Sequence, residues 1–160
     1  MTRHFSRVDR LCIFFESGLS LFAKQSTRSS CAHPAEGLKD GTMTPAEKKH
    51  PAVWMRVNYS GEVCAQALYL GQSVTASNHM VSKQLYHAAQ EEAAHLTWCA
   101  CRVVECDDHR SYFDPAWWMG SALLGLGVGA LGLSWGLGFV EETEEQVTQH
   151  LEGHLGRFPD

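Results

Sequence analysis

Three features of the 160-residue sequence predict an all-α fold. Apolar residues recur at three- and four-residue spacing in four separate stretches. No stretch alternates with the two-residue period of a half-buried strand, and turn-forming residues gather between the apolar stretches. No internal repeat is present. The length suits one domain with a real core, so residues 1–160 are expected to form a single domain.

The first element is an amphipathic helix in "MTRHFSRVDRLCIFFESGLSLFA", with Val8, Leu11, Phe15, Leu19 and Phe22 on one stripe expected to face the core. Asp9 and Glu16 interrupt its apolar run, which argues against a secretion signal. Residues 24–42 are rich in Ser, Thr, Gly and Lys without periodicity and are expected to be a flexible loop. "TPAEKKH" then predicts a helix start, with Thr44 as N-cap, Pro45 in the first helical position and Glu47 closing a capping box. His50-Pro51 should break or kink that helix, because a proline disfavours helical geometry in the residue before it.

Helical periodicity resumes from Val53 to Ser77 and again over 81–105, where Leu85, Ala88, Glu92, Leu96, Cys99 and Val103 share a stripe. "DDHRSYFDP" is a turn region, and 139–155 form a last helix with Val140, Glu144, Val147, Leu151 and Leu155 on one face. Residues 116–140 carry no charged side chain and seven glycines. Their length would permit a membrane span. The favoured reading is a helix pair packed closely through glycines, with an apolar surface toward lipid or an apolar ligand. GLGVG in this run lacks the preceding strand and following Lys of a phosphate loop.

A net charge of −5, with no basic stripe, excludes a nucleic-acid protein. The cysteines (Cys12, Cys31, Cys64, Cys99, Cys101, Cys106) form no C-x-x-C pair and are read as reduced thiols.

The chemistry lies in carboxylates placed on apolar stripes. Glutamate is rarely buried unless paired or bound to a cation. Glu62 shares a face with Tyr59 and Tyr69, Glu92 lies between Leu85 and Leu96, and Glu144 lies between Val140 and Val147. His95 is one turn from Glu92, so both side chains can reach one point. Carboxylate-bridged two-metal sites in helical bundles use single glutamates from two helices and Glu-x-x-His from two others. Carboxylate oxygen and imidazole nitrogen suit ferrous iron or manganese. A lone Glu-x-x-His is more often a solvated ion pair, and that alternative stays open on spacing alone.

The stretches "RVNYSGEVCAQALYLGQ", "AAQEEAAHLTWCACRVVE", "DPAWWMGSALLGLGVGALG" and "LGFVEETEEQVTQHLEGHL" resemble the demethoxyubiquinol hydroxylase family of ubiquinone biosynthesis. The resemblance covers essentially the whole chain. It implies a ferritin-like four-helix bundle and a di-iron monooxygenase that hydroxylates the demethoxyubiquinone or demethoxyubiquinol ring with O2. Carried over, the metal ligands are Glu62, Glu92 as the bridge between two irons, His95 and Glu144. Glu144 is preferred over Glu142, which falls off the stripe. His150, six positions after Glu144, and Tyr59 are implied as hydrogen-bonding groups behind the ligands. The family reads His where Tyr59 stands and an acidic residue where Ala94 stands. Its second Glu-x-x-His belongs to a further helix pair not found before Asp160, so the bundle is expected to be incomplete at its C-terminus.

The resemblance further implies a polyprenyl-benzoquinone substrate, a peripheral place on the cytoplasmic side of the cell membrane, and other ubiquinone-biosynthesis proteins as partners. Two other readings are a membrane-anchored hairpin spanning through 116–140, and a catalytically incomplete homologue acting as a membrane-associated helical interaction protein.

Overall fold

Ser6 opens the first helix, α1 (Arg7–Ser20), with a capping box. Its hydroxyl accepts from the Asp9 N–H at 3.1 Å, and the Asp9 carboxylate accepts from the Ser6 N–H at 2.7 Å. The computed structural model describes residues 6–21 and 43–155, and among these it forms five α-helices and no strand. The all-α expectation is met, in a form consistent with a ferritin-like helical bundle. Phe22, Cys31 and the loop expected over 24–42 lie outside the described residues.

The inward face of α1 differs from expectation. Val8, Leu11, Phe15 and Leu19 are exposed, whereas Phe14 and Leu21 are buried. The buried stripe is mixed in polarity, because its polar members find partners inside. Arg10 donates to the Ser73 carbonyl at 2.8 Å and to the Ser82 hydroxyl, and Ser17 donates to Gln66 at 3.0 Å. Periodicity located the helix and pointed it the wrong way.

Thr44 and Glu47 form their capping interactions, the Thr44 N–H reaching Glu47 at 2.7 Å, but they close only a turn over 45–48. The regular helix α2 (Lys49–Thr75) begins after that turn, with Pro51 inside its first turn. Pro51 has no N–H to give the Glu47 carbonyl, so the ladder starts late and runs on unbroken to Thr75. The proline sets the boundary and breaks nothing downstream.

Helix α3 (His79–Glu105) is capped by Asn78, whose side-chain oxygen accepts from the Met80 N–H at 2.9 Å. On the expected stripe Leu85, Leu96 and Val103 are buried and Ala88, Glu92 and Cys99 half-buried. The loop to α4 (Asp114–Leu131) is tied to α2 by Arg56–Asp108 and by Lys48–Asp107 at 2.7 Å. α5 (Leu133–Leu155) follows a single-residue break at Gly132, whose φ of 109° is left-handed territory that favours glycine.

That break divides the 116–140 run between two helices. Among the described residues no helix is long and apolar enough to cross a membrane. The glycines serve close packing instead. A Cβ on Gly71 would meet the Ala122 carbonyl at 2.5 Å, one on Gly125 would overlap the Leu68 carbonyl, and one on Gly129 would lie 2.9 Å from the Gln72 Cα. α2 and α4 therefore approach backbone to backbone. α2 sits at the centre, with α3, α4 and α1 against it. Ala67, Leu68, Tyr69, Leu70, Leu85 and Ala89 make the main core cluster, and Tyr59, Val63 and Leu96 a second.

Candidate metal centre

Glu62 stands midway along α2, one position before Val63, which is fully buried. Glu92 and His95 stand one turn apart on α3, beside buried Leu96. Because these apolar neighbours seat the two helices together, the acids are carried into the interface with them. Side-chain exposure is 17% for Glu62 and 12% for Glu92. His95 Nδ1 lies 3.0 Å from Glu92 Oε2 and 3.7 Å from Glu62 Oε2. One donor atom from each of the three falls within 4.8 Å of the others, a spacing that can surround one cation.

The electrostatics make the same point. Burial, the hydrogen bond to Glu92 and the charges of Glu92 and Glu144 push the Glu62 carboxyl up to about 9. Two acids this close in a poorly solvated place share a proton unless a cation replaces it. Oxygen donors with one imidazole fit a divalent ion such as ferrous iron. Cys99, one turn past His95, is pushed up to about 12 by burial and then by Glu62 and Glu92, which keeps it a neutral thiol.

Glu144 reaches the site from α5 and is more exposed. The Tyr69 hydroxyl donates to its Oε1. Burial first, and then that hydrogen bond and the nearby carboxylates, push the Tyr69 phenol upward, so it remains a donor. Glu142 accepts from Gln146 at 2.7 Å instead. On α3, Glu91 turns outward to His87 at 3.5 Å, with 61% of its side chain exposed. The structure thus brings Glu62, Glu92 and His95 together, and Glu62, Glu92 and Glu144 line one cleft of about 120 Å³. His150 lines that cleft with Val147 and Leu151.

Tyr59 is placed differently from expectation. It is fully buried in the Val63–Leu96 cluster, where Arg110 donates to its hydroxyl at 2.9 Å and stacks over its ring. The tyrosine that holds a candidate ligand is Tyr69, two turns after Glu62. Its place on the Glu62 stripe was the available signal, but Tyr59 shares that stripe and spacing cannot rank them. Asn58, which also lines the cleft, was missed as well.

The chain's relatives carry the same theme. It is 44% identical over 159 residues to a 3-demethoxyubiquinol 3-hydroxylase of Chromohalobacter salexigens, covering 99% of this chain and 75% of the relative. It is 43% identical over 156 residues to one of Nitrosococcus oceani, covering 98% and 73%. It is 45% identical over 159 residues to one of Coxiella burnetii, covering 99% and 73%. No solved structure gives a significant match. The family model described as ubiquinone biosynthesis protein COQ7 matches residues 49–160, the region that holds all four candidate ligands, and the chain belongs to that family.

Proposed function

We propose that Glu62, Glu92, His95 and Glu144 hold iron and that the protein hydroxylates the ring of a demethoxyubiquinol, as the names of its relatives describe for them. The observation that carries this reading is the half-buried Glu62–Glu92–His95 cluster, whose two acids share a proton unless a cation takes its place. The reaction inserts one oxygen atom of O2 into a ring C–H bond and reduces the other to water with two electrons and two protons. Bound iron supplies the activation of O2 that this requires.

The chain's own part is positional. Glu62 gives up the proton it shares with Glu92 when a cation enters. Tyr69 keeps its proton and orients Glu144 through it. Val57, Ala65, Val147 and Leu151 line the cleft with hydrocarbon, which suits an aromatic ring and limits water around it.

The same reading places the protein peripherally on the cytoplasmic side of the membrane, where a polyprenyl substrate resides. Its support is apolar surface. Phe15 and Leu19 of α1 and Trp117, Leu123, Leu131 and Trp135 of α4 and α5 are all exposed, and α1 meets α4 through Gly18 against Trp118. Flotation with lipid vesicles tests this part, and Phe15→Ser with Leu19→Ser should reduce the bound fraction. Complementation of a strain that accumulates the demethoxy intermediate tests the activity. The protein should restore conversion and its Glu92→Gln variant should not. Equal conversion by the two would overturn the assignment.

A further inference from the structure

His95 is the least buried of the three clustered candidate ligands. Its side chain is 43% exposed, against 17% for Glu62 and 12% for Glu92. An imidazole that open can turn on its helix. Two wells about χ1, since a helix disfavours the third, and two broad ones about χ2 give about four orientations. The one present keeps Nδ1 3.0 Å from Glu92 Oε2 and 3.7 Å from Glu62 Oε2. Glu91 lies one turn back from His95 with 61% of its side chain exposed, so a ring that swings outward meets a competing carboxylate in water.

Among the described residues two contacts hold the ring as it stands. One is the hydrogen bond between Nδ1 and Glu92 Oε2. The other is the indole of Trp98, one turn further along α3, with ring centroids 5.1 Å apart and planes 37° from each other. A cation treats the two contacts differently. When it binds, the proton between Nδ1 and Glu92 leaves, because both atoms turn to the metal. Glu92 is then a fellow ligand and no longer tethers the imidazole. The Trp98 contact is between ring surfaces and uses no imidazole nitrogen, so it survives the change. Trp98 is half-buried and has only two side-chain torsions, so little freedom is lost in keeping it there.

We propose that Trp98 is a positioning residue for the metal centre, whose indole keeps the Nδ1 of His95 turned toward Glu62 and Glu92 once their hydrogen bond has given way to a shared cation. The proposal rests on the iron reading above for His95 as a ligand, and on the ring geometry for Trp98. That geometry also bounds the effect. Confining the imidazole to one of about four orientations is worth at most about fourfold in metal affinity. Because Trp98 acts through His95, the effect must vanish when His95 is gone.

The probe is ferrous iron, titrated without oxygen and up to the millimolar range into the full chain. Calorimetry compares the wild type with Trp98→Met and Trp98→Phe, and His95→Ala with and without Trp98→Met. Methionine fills the space of the indole without a flat face, and circular dichroism checks that each variant keeps the wild-type helical content. Trp98→Met should bind iron about fourfold more weakly, whereas Trp98→Phe, which keeps an aromatic face, should stay within about twofold of the wild type. In the His95→Ala background Trp98→Met should cost nothing further. A tryptophan that merely supports the fold would lower affinity by the same factor in both backgrounds, and that result would overturn the proposal. Wild-type affinity in Trp98→Met, or a loss in Trp98→Phe as large as in Trp98→Met, would overturn it too. The readout needs no turnover. Iron binding by the wild type that ignores Trp98 removes only this inference, whereas a wild type that binds no iron removes the metal-centre reading and this inference with it.

Discussion

Gly125→Ala and Gly127→Ala make the same chemical change two residues apart on α4 and should move stability in opposite directions. In an exposed helical position, alanine in place of glycine stabilises by about 0.5–1 kcal/mol through lower backbone entropy in the unfolded chain. Gly127 is exposed with nothing within 4 Å of an added Cβ, so it should collect that gain. At Gly125 the added methyl overlaps the Leu68 carbonyl and would lie 3.0 Å from its carbonyl carbon and 3.1 Å from its Cα. Backbone cannot rotate aside as a side chain can, so α2 and α4 must separate. Overpacking of this kind costs about 1–3 kcal/mol, enough to outweigh the helical gain. At about 2–4 °C per kcal/mol for a chain of this size, thermal unfolding by circular dichroism should resolve the two variants. If Gly125→Ala melts with or above Gly127→Ala, α2 and α4 are not packed backbone to backbone.

Glu62→Gln should flatten the pH dependence of apo-protein stability. The folded carboxyl sits at about 9 against an ordinary 4.5, so the folded state holds a proton that the unfolded state releases. The contribution of Glu62 is therefore fully present below about pH 4.5 and is lost as pH rises toward 9, and denaturant titrations at several pH values should lose that slope in Glu62→Gln. A slope unchanged by the substitution would place the ionisation elsewhere. Ferrous iron binding should release protons and strengthen as pH rises from 6 to 8, which calorimetry in buffers of different ionisation heat can read. Tyr69→Phe should weaken iron binding by about tenfold while leaving the fold intact, since it removes the group that holds Glu144. Wild-type affinity in that variant would mean that Glu144 needs no such support.

Helix α3 was legible in the sequence because its apolar residues recur on one stripe that also carries Glu92, and the burial of Leu85, Leu96 and Val103 follows that stripe. The Glu-x-x-His pair came with it, since local helical geometry alone brings Glu92 to His95. α1 was legible as a helix and illegible in its orientation. Both of its faces carry large apolar residues, and the face that docks is decided by what Arg10 and Ser17 can bond to on α2 and α3. Tyr59 and Tyr69 pose the same difficulty on α2. Each lies at helical spacing from Glu62, and only the long-range placing of Arg110 and Glu144 assigns them to different partners. The Gly132 break was hidden among seven glycines in residues 116–140, most of which remain helical.

Iron binding by the wild type, Glu92→Gln and Glu91→Gln, titrated with ferrous iron without oxygen, bears most directly on the metal centre. Glu92 is nearly buried against Glu62 and His95, whereas its sequence neighbour Glu91 faces water and His87. Glu91→Gln should bind as the wild type does, and Glu92→Gln should lose at least about tenfold in affinity. Equal binding by Glu92→Gln and the wild type, or equal losses in the two variants, would contradict the account.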